Sequence, residues 1–391
     1  MNELSRRIGR LQKTALVAGC AGGIACLVFA FGETRQFFIS YLVGFTFWMG
    51  LSLGCLCVAM MHHLTGGNWG FATRRFLEAG FMTLPLMAGL FLPLLLGLPE
   101  LYPWARPDAV AASEPLHHRA DYLNPTAFVL RALLFLAAWL ALAFFLRKWS
   151  LRQDATTDPT PTIRLRTLSG VGIVAYPITG TFAFIDWVMS IEPRWFSTMF
   201  AVIVLIGQIL VAFAFVTMLL AWFRDQPPFQ AIVARVHFHD LGNLLLAFVV
   251  FWTYVSFSQF LIIWSGNLPR EIDWYLHRTA GGWKWIVGLL ALFHFFVPFS
   301  LLLFRVMKRS VGRLVTIAAL IFIVHIVEVF WIVEPSFFPA GMHIHWLDLA
   351  ALVGMGGLWL ALFAWNLKRN PLLPQNDPRI EYTLTAPAHA R

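Results

Sequence analysis

His325 and Glu328 stand three residues apart in IFIVHIVEVF, deep inside an apolar run. On a helix that spacing puts both side chains on one face, within hydrogen-bonding reach. An imidazole beside a carboxylate, shielded from water, suits the uptake and release of protons. A second polar set lies between 168 and 190, where Tyr176, Thr179, Ala183, Asp186 and Ser190 follow a 3-4-3-4 spacing and share a helix face. Pro177, without an N–H, leaves the carbonyl of Ile173 without its helical donor. At 1.5 Å per residue, His325 lies about 20 Å and Asp186 about 27 Å into their segments. The depths match closely enough to predict one protonatable cluster of Asp186, His325 and Glu328.

Other groups extend the set. His294 lies near the middle of 283–304, and Tyr254, Ser256, Ser258 and Gln259 lie in the second half of 239–264. His62 and His63 close 37–61, while His237, His239, Asp240 and Asn243 open 239–264, where they could collect protons. Each has a plainer alternative. Asp186 would be an interfacial carboxylate, His325 and Glu328 a structural pair, and His294 a ring bonded to a backbone carbonyl. The entrance histidines would be headgroup-level residues. Glu192 and Arg194 read as an exposed or interfacial pair, and Lys284, between two tryptophans, as an anchor. No catalytic, cofactor-binding or metal-binding motif is evident.

The elements that must position these groups follow from composition. Of 391 residues, 59% are hydrophobic and 13% charged, with a mean hydropathy of +0.70. Apolar stretches of about 20 residues span a bilayer. Ten occur, at 14–32, 37–61, 77–97, 126–146, 168–190, 197–222, 239–264, 283–304, 312–333 and 346–366. Lipid satisfies no backbone polar group, so such spans must be helices. The expected fold is therefore an all-α polytopic membrane protein, one integral domain over 1–391.

The net charge of +9 follows topology rather than nucleic acid. With the N-terminus in the cytoplasm, 21 of the 29 Lys and Arg fall in the terminal segments and the even-numbered loops, the bias of cytoplasmic segments. Both termini are expected to be cytoplasmic. The basic start could open a signal peptide, but its apolar run is long and lacks a small-x-small cleavage site, so it reads as a retained helix. Cys20, Cys26, Cys55 and Cys57 make no CxxC or CxxCH motif and read as packing residues.

The longest loop, Leu98–Pro125, is expected on the extracytoplasmic side, either docking a peripheral partner or forming an ordered connector with Tyr102 and Trp104 in the aromatic belt. The 147–167 segment reads as an exposed linker. GGNWGFATRRFLEAG, from Gly66, reads as a loop without the ending of a P-loop, with Arg74 and Arg75 anchored at the surface. The tail after Lys368, with Pro371, Pro374 and Pro378, is expected to be extended or to lie on a neighbour.

GGNWGFATRRFLEAGFMTLPLMAGLFLPLLLGLPELYPWA, DYLNPTAFVLRALLF, FAFIDWVMSIEPRWFSTMF and FHDLGNLLLAFVVFWTYVSFSQFLIIWSGNLP resemble one family of integral membrane subunits of the bacterial alternative complex III. These are ten-helix proteins similar to the polysulfide-reductase (NrfD-like) membrane proteins, and the resemblance covers nearly the whole chain. It implies two four-helix bundles, helices 2–5 and 6–9, in the bacterial inner membrane. It also implies a complex that oxidises membrane quinol and passes electrons to cytochromes or a terminal oxidase. Haem c and iron–sulfur clusters would reside in partner subunits, beside a second, related integral subunit to which the quinol site is usually assigned. This chain would carry no redox centre but contribute proton-conducting half-paths or part of a quinone environment. From the residues alone, a proton-coupled secondary transporter also fits, although no Gly/Pro-broken helix pair appears at matching positions in two halves. A b-type cytochrome fits poorly, because His294 and His325 are too few for two haems.

Overall fold

A computed structural model describes residues 3–30 and 32–377. Among them there is no strand, and ten helices are long and apolar enough to cross a membrane. They are α1 (Glu3–Ala30), α2 (Thr34–Thr65), α3 (Asn68–Leu96), α4 (Pro125–Asp154), α5 (Thr160–Ile191), α6 (Thr198–Phe223), α7 (Arg235–Gly266), α8 (Trp283–Leu303), α9 (Val311–Ser336) and α10 (Trp346–Lys368). The protein is an all-α, multi-pass membrane protein. Each expected apolar run lies within or almost within one helix, and several helices continue past it. Arg6, Arg7, Arg10 and Lys13 sit on the first turns of α1, where Glu3 and Arg7 pair at 2.8 Å one helical turn apart.

The chain winds back and forth, so one face of the molecule carries the start of α1 and the end of α10; we call it the terminal face. Helices α2–α5 pack as one group and α6–α9 as another, joined where α2 lies against α6. α2 and α6 are the innermost helices, apolar on nearly every side, as expected of helices without a lipid-facing surface. Outer helices show their apolar side chains to the surroundings, such as Leu130, Leu133 and Leu134 on α4 and Val171, Val174 and Ile178 on α5. α1 packs chiefly on α10. Gly19 and Gly22 meet Gly354 and Gly357 there, and a Cβ at Gly19 would lie 2.6 Å from the Leu358 nitrogen. Only glycines allow backbones so close, the small-residue contact that holds helices together where no hydrophobic effect acts between them.

Two helices are interrupted. α3 comprises Asn68–Phe81, Leu84–Leu90 and Leu92–Leu96, with Pro85 and Pro93 opening the later pieces. α8 widens to a π-helical stretch, Ala291–Phe296, just before Pro298. Prolines remove the donors that would have held the preceding turn. In a five-and-five division of the chain α3 and α8 correspond, which departs from the expectation that no matching pair of helices is broken. In the observed packing of α2–α5 and α6–α9 they do not correspond.

Three segments expected to be loops are built differently. GGNWGFATRRFLEAG is mostly the first part of α3. The 147–167 segment is almost wholly helical, with only 155–159 between α4 and α5. Leu98–Pro125 folds into short helices, and its Tyr102 and Trp104 are buried rather than set in a belt. Tyr102 Oη donates to the Trp187 carbonyl at 2.7 Å, and Trp104 Nε1 donates to Ser190 Oγ at 3.0 Å. The loop thus closes over the end of α5. Of the tail, residues 369–377 lie back on the chain's own terminal face, where the Gln375 N–H donates to Asp154 at 2.8 Å; 378–391 lie outside the described residues.

Candidate functional site

Helices α7, α8 and α9 bring Trp252, His294, His325 and Glu328 together in the second bundle. All four are buried, and His294 is wholly so. His325 Nδ1 and Glu328 Oε2 are 2.8 Å apart, the hydrogen bond that their spacing predicts. Trp252 Nε1 donates to the other oxygen, Oε1, at 2.6 Å. The His294 ring stacks on the Trp252 indole with centroids 4.1 Å apart. Its Nδ1 stands 3.5 Å from Glu328 Oε2, and neither ring nitrogen has a hydrogen-bond partner.

Local sequence explains this geometry. The π-helical stretch carries His294, and an inserted residue of that kind turns a side chain out of the regular helical register. From α6, Gly207 lets the His325 ring approach the backbone: a Cβ there would lie 2.7 Å from His325 Cε1 and 3.6 Å from Glu328 Oε2. From α2, Phe47 meets the His325 ring at 5.9 Å. The cluster therefore lies where the two bundles join.

Beside it is a cavity of about 810 Å³ between α6, α7, α8 and α9, with Phe200, Val204, Phe260 and Trp331 in its walls. The surface it exposes is mostly apolar, but Glu328, Trp252, Tyr254, Ser256, Gln259 and Tyr275 all line it. A carboxylate with two donors, an unpartnered imidazole one step away and a largely apolar cavity alongside is an arrangement through which a proton can change hands. The donor atoms of His294, His325 and Glu328 all lie within 4.8 Å of one another. Two imidazoles and a carboxylate would also suit a borderline divalent ion, which the absence of a sequence motif did not foreshadow.

Asp186 is not part of this cluster. α5 and α9 belong to different bundles, and the wholly buried Asp186 is held by Arg131 of α4, whose Nε and Nη2 donate to it at 2.7 and 3.2 Å. Arg131 also donates to the Tyr122 carbonyl at 2.9 Å and stacks over the Tyr122 ring. The expected polar face of α5 does turn inward, but toward nearer partners. Tyr176 Oη donates to Gln208 Oε1 at 2.9 Å, Thr179 Oγ1 accepts from Trp139 Nε1 at 2.8 Å, and Ser190 meets Trp104.

The remaining candidates are scattered. Tyr254 is largely exposed but lines the cavity beside Glu328. His239 and Asp240 sit half-buried at the start of α7, with His239 Nδ1 3.3 Å from Asn243 and 3.7 Å from the Asp240 carboxylate. His62 and His63 are buried, His63 against Ser169 Oγ at 3.0 Å. His237 bonds the backbone of Ala234 and is buried.

Two ion-pair groups depart from the expected placement. Arg74 and Arg75 are buried rather than at the surface, because the helix that carries them turns both inward. Arg74 bonds Glu78 at 3.0 Å, Asp377 at 2.9 Å and Gln153 at 2.7 Å, Arg75 pairs with Glu78 and Asp154, and Arg147 with Glu78. Three guanidinium groups thus meet three carboxylates. At the opposite face Glu192 pairs with Arg278 at 2.8 Å, not with Arg194, which is exposed. Burial works against ionisation of Glu192, but Arg278 and the hydrogen bonds from His277, Ser336 and Arg278 prevail and hold its carboxyl at about 2. The bond to Glu192 in turn raises His277.

The chain matches no family model, and no curated protein is significantly similar to it.

Proposed function

We propose that this chain is an integral subunit of a quinol-oxidising electron-transfer complex of the bacterial inner membrane, in which it carries protons along part of their route. The observation that supports this reading is the buried group of Trp252, His294, His325 and Glu328, set between helices and facing a largely apolar cavity. Titratable groups are costly in such a place and mark ion or proton paths. The likeness to the alternative complex III membrane proteins, carried by four long segments, supplies the quinol chemistry and the partners. These are a related integral subunit and peripheral subunits that hold haem c and iron–sulfur clusters. Both termini lie in the cytoplasm in this reading, by the placement of Lys and Arg. Quinone itself could occupy the cavity beside Glu328.

A free-standing proton-coupled transporter is the second reading: the same buried carboxylate and histidines would serve it. The interruptions of α3 and α8 match in a five-and-five division of the chain, though not in the observed bundles. Gentle extraction of the tagged protein from its native membrane separates the two. Co-purification with multihaem and iron–sulfur proteins is the expected result. A monodisperse single chain that moves a solute against a proton gradient would overturn the reading.

A further inference from the structure

On the terminal face, a hollow of about 390 Å³ opens between α1 and the end of α10. Its lining includes Arg6, Arg10, Lys13 and Lys368, with Gln12 and Leu16, and contains no acidic side chain. Positions 6, 10, 13 and 16 recur at the helical repeat, so α1 presents three cations and then a leucine along one stripe. Lys368 enters from α10 and reaches across to Gln12 Oε1 at 3.3 Å. Among the described residues none of these four cations has an ion-pair partner, whereas neighbouring Arg7 is paired with Glu3.

Four like charges around one hollow repel one another, and an anion seated there would relieve all four at once. What lies next along α1 indicates which anion. Leu16 and Val17 are exposed, as are Ile24, Leu27 and Val28 farther along the helix. A cationic hollow at the membrane boundary thus runs directly into a surface suited to acyl chains. Free phosphate would use only the first of these features; a phospholipid uses both.

We propose that this hollow binds the headgroup phosphate of an anionic phospholipid, with its acyl chains along the exposed apolar face of α1. The two guanidinium groups and two ammonium groups give charge-assisted hydrogen bonds to the phosphate oxygens. The bound lipid would stay with α1, the outermost helix, and steady its contact with α10. None of this depends on the proton-carrying role of the Glu328 cluster.

The test uses the protein extracted in its native assembly, stripped of lipid and titrated with phosphatidylglycerol or phosphatidylcholine, with bound lipid counted by native mass spectrometry. Phosphatidylglycerol should bind at least tenfold more tightly than phosphatidylcholine. Arg6→Gln, Arg10→Gln and Lys13→Gln should each weaken it by about fivefold. Arg10→Lys should retain most of the affinity, and Arg7→Gln, which removes a charge from the same turn but outside the hollow, should change nothing. Equal affinity for the two lipids would overturn the proposal, and this comparison needs no variant. So would an Arg7→Gln loss as large as that of Arg10→Gln, the mark of a general charge effect. Inorganic phosphate displacing the lipid at equal concentration would overturn it too, by making the hollow a small-anion site.

Discussion

A carboxylate inside an apolar helix needs compensation at its own depth, and Asp186 and Glu328 obtain it differently. Asp186 receives a two-pronged Arg131, a fixed and permanently charged partner. Glu328 receives two histidines and an indole, none of them permanently charged. The first arrangement locks a helix pair; the second, in the proposed role, would let a proton move. Breaking one side of a buried pair costs about 3–5 kcal/mol, while replacing both sides by apolar groups is often nearly neutral. Asp186→Asn and Arg131→Gln should therefore each lower thermal stability strongly, and Asp186→Leu combined with Arg131→Leu should recover much of it. Asp186→Asn should also add to Glu328→Gln within about 0.5 kcal/mol, as independent sites do. Strong coupling between these two would restore the shared cluster first expected. The Arg131 partner was overlooked but legible: Arg131 lies near the start of 126–146 and Asp186 near the end of the next run, 168–190, so two lone charges on consecutive, oppositely directed helices come to the same face. Equal depth by itself does not choose between a partner on α4 and one on α9; the permanent charge of Arg131 does. The i, i+3 bond of His325 and Glu328 was legible from spacing alone. Trp252 and His294 were not, because their approach depends on how α7 and α8 pack.

At the scale of elements, the ten apolar runs were legible because lipid leaves the backbone no alternative to a helix. Their ends were not, since a charge that marks a loop in a soluble protein here continues the helix or pairs inside it. Arg74 and Arg75 illustrate this: their charge suggested a surface, but three carboxylates wait for them inside. The 267–282 connection shows how a loop is held. Arg278 donates to Glu192 at 2.8 Å and to the Ile332 carbonyl at 2.6 Å, and lies over the Trp274 ring. Glu192, held at about 2 against an ordinary 4.5, contributes fully above pH 4.5, and that stability is lost as pH falls through about 2. It amounts to roughly 3 kcal/mol. His277 is raised above its ordinary 6.5, so its smaller share is present below that value and fades as pH rises through the raised one. Resistance of this connection to proteolysis should therefore be greatest between about pH 4.5 and 6.5. Glu192→Gln should flatten the acid limb. A profile identical in wild type and variant would show that the pair does not hold the loop.

Over the whole molecule, the two bundles divide the work. The first is tied by fixed ion pairs at both faces, and the second holds the one group of buried histidines around a carboxylate found among the described residues, beside the large cavity. α2 and α6 join them, and α1 with α10 stands outside as a glycine-lined pair. The bundle grouping was legible only through resemblance, because hydropathy reports each helix's length and not its neighbours. The central claim is that Glu328 passes protons during quinol oxidation, and Glu328→Gln tests it most directly. The variant keeps the shape and a hydrogen bond but cannot titrate. Measured on the assembled complex in sealed vesicles, with proton release recorded against quinol consumed, the account predicts normal assembly and haem content with a proton yield well below wild type. Full turnover with full proton yield in Glu328→Gln would contradict it.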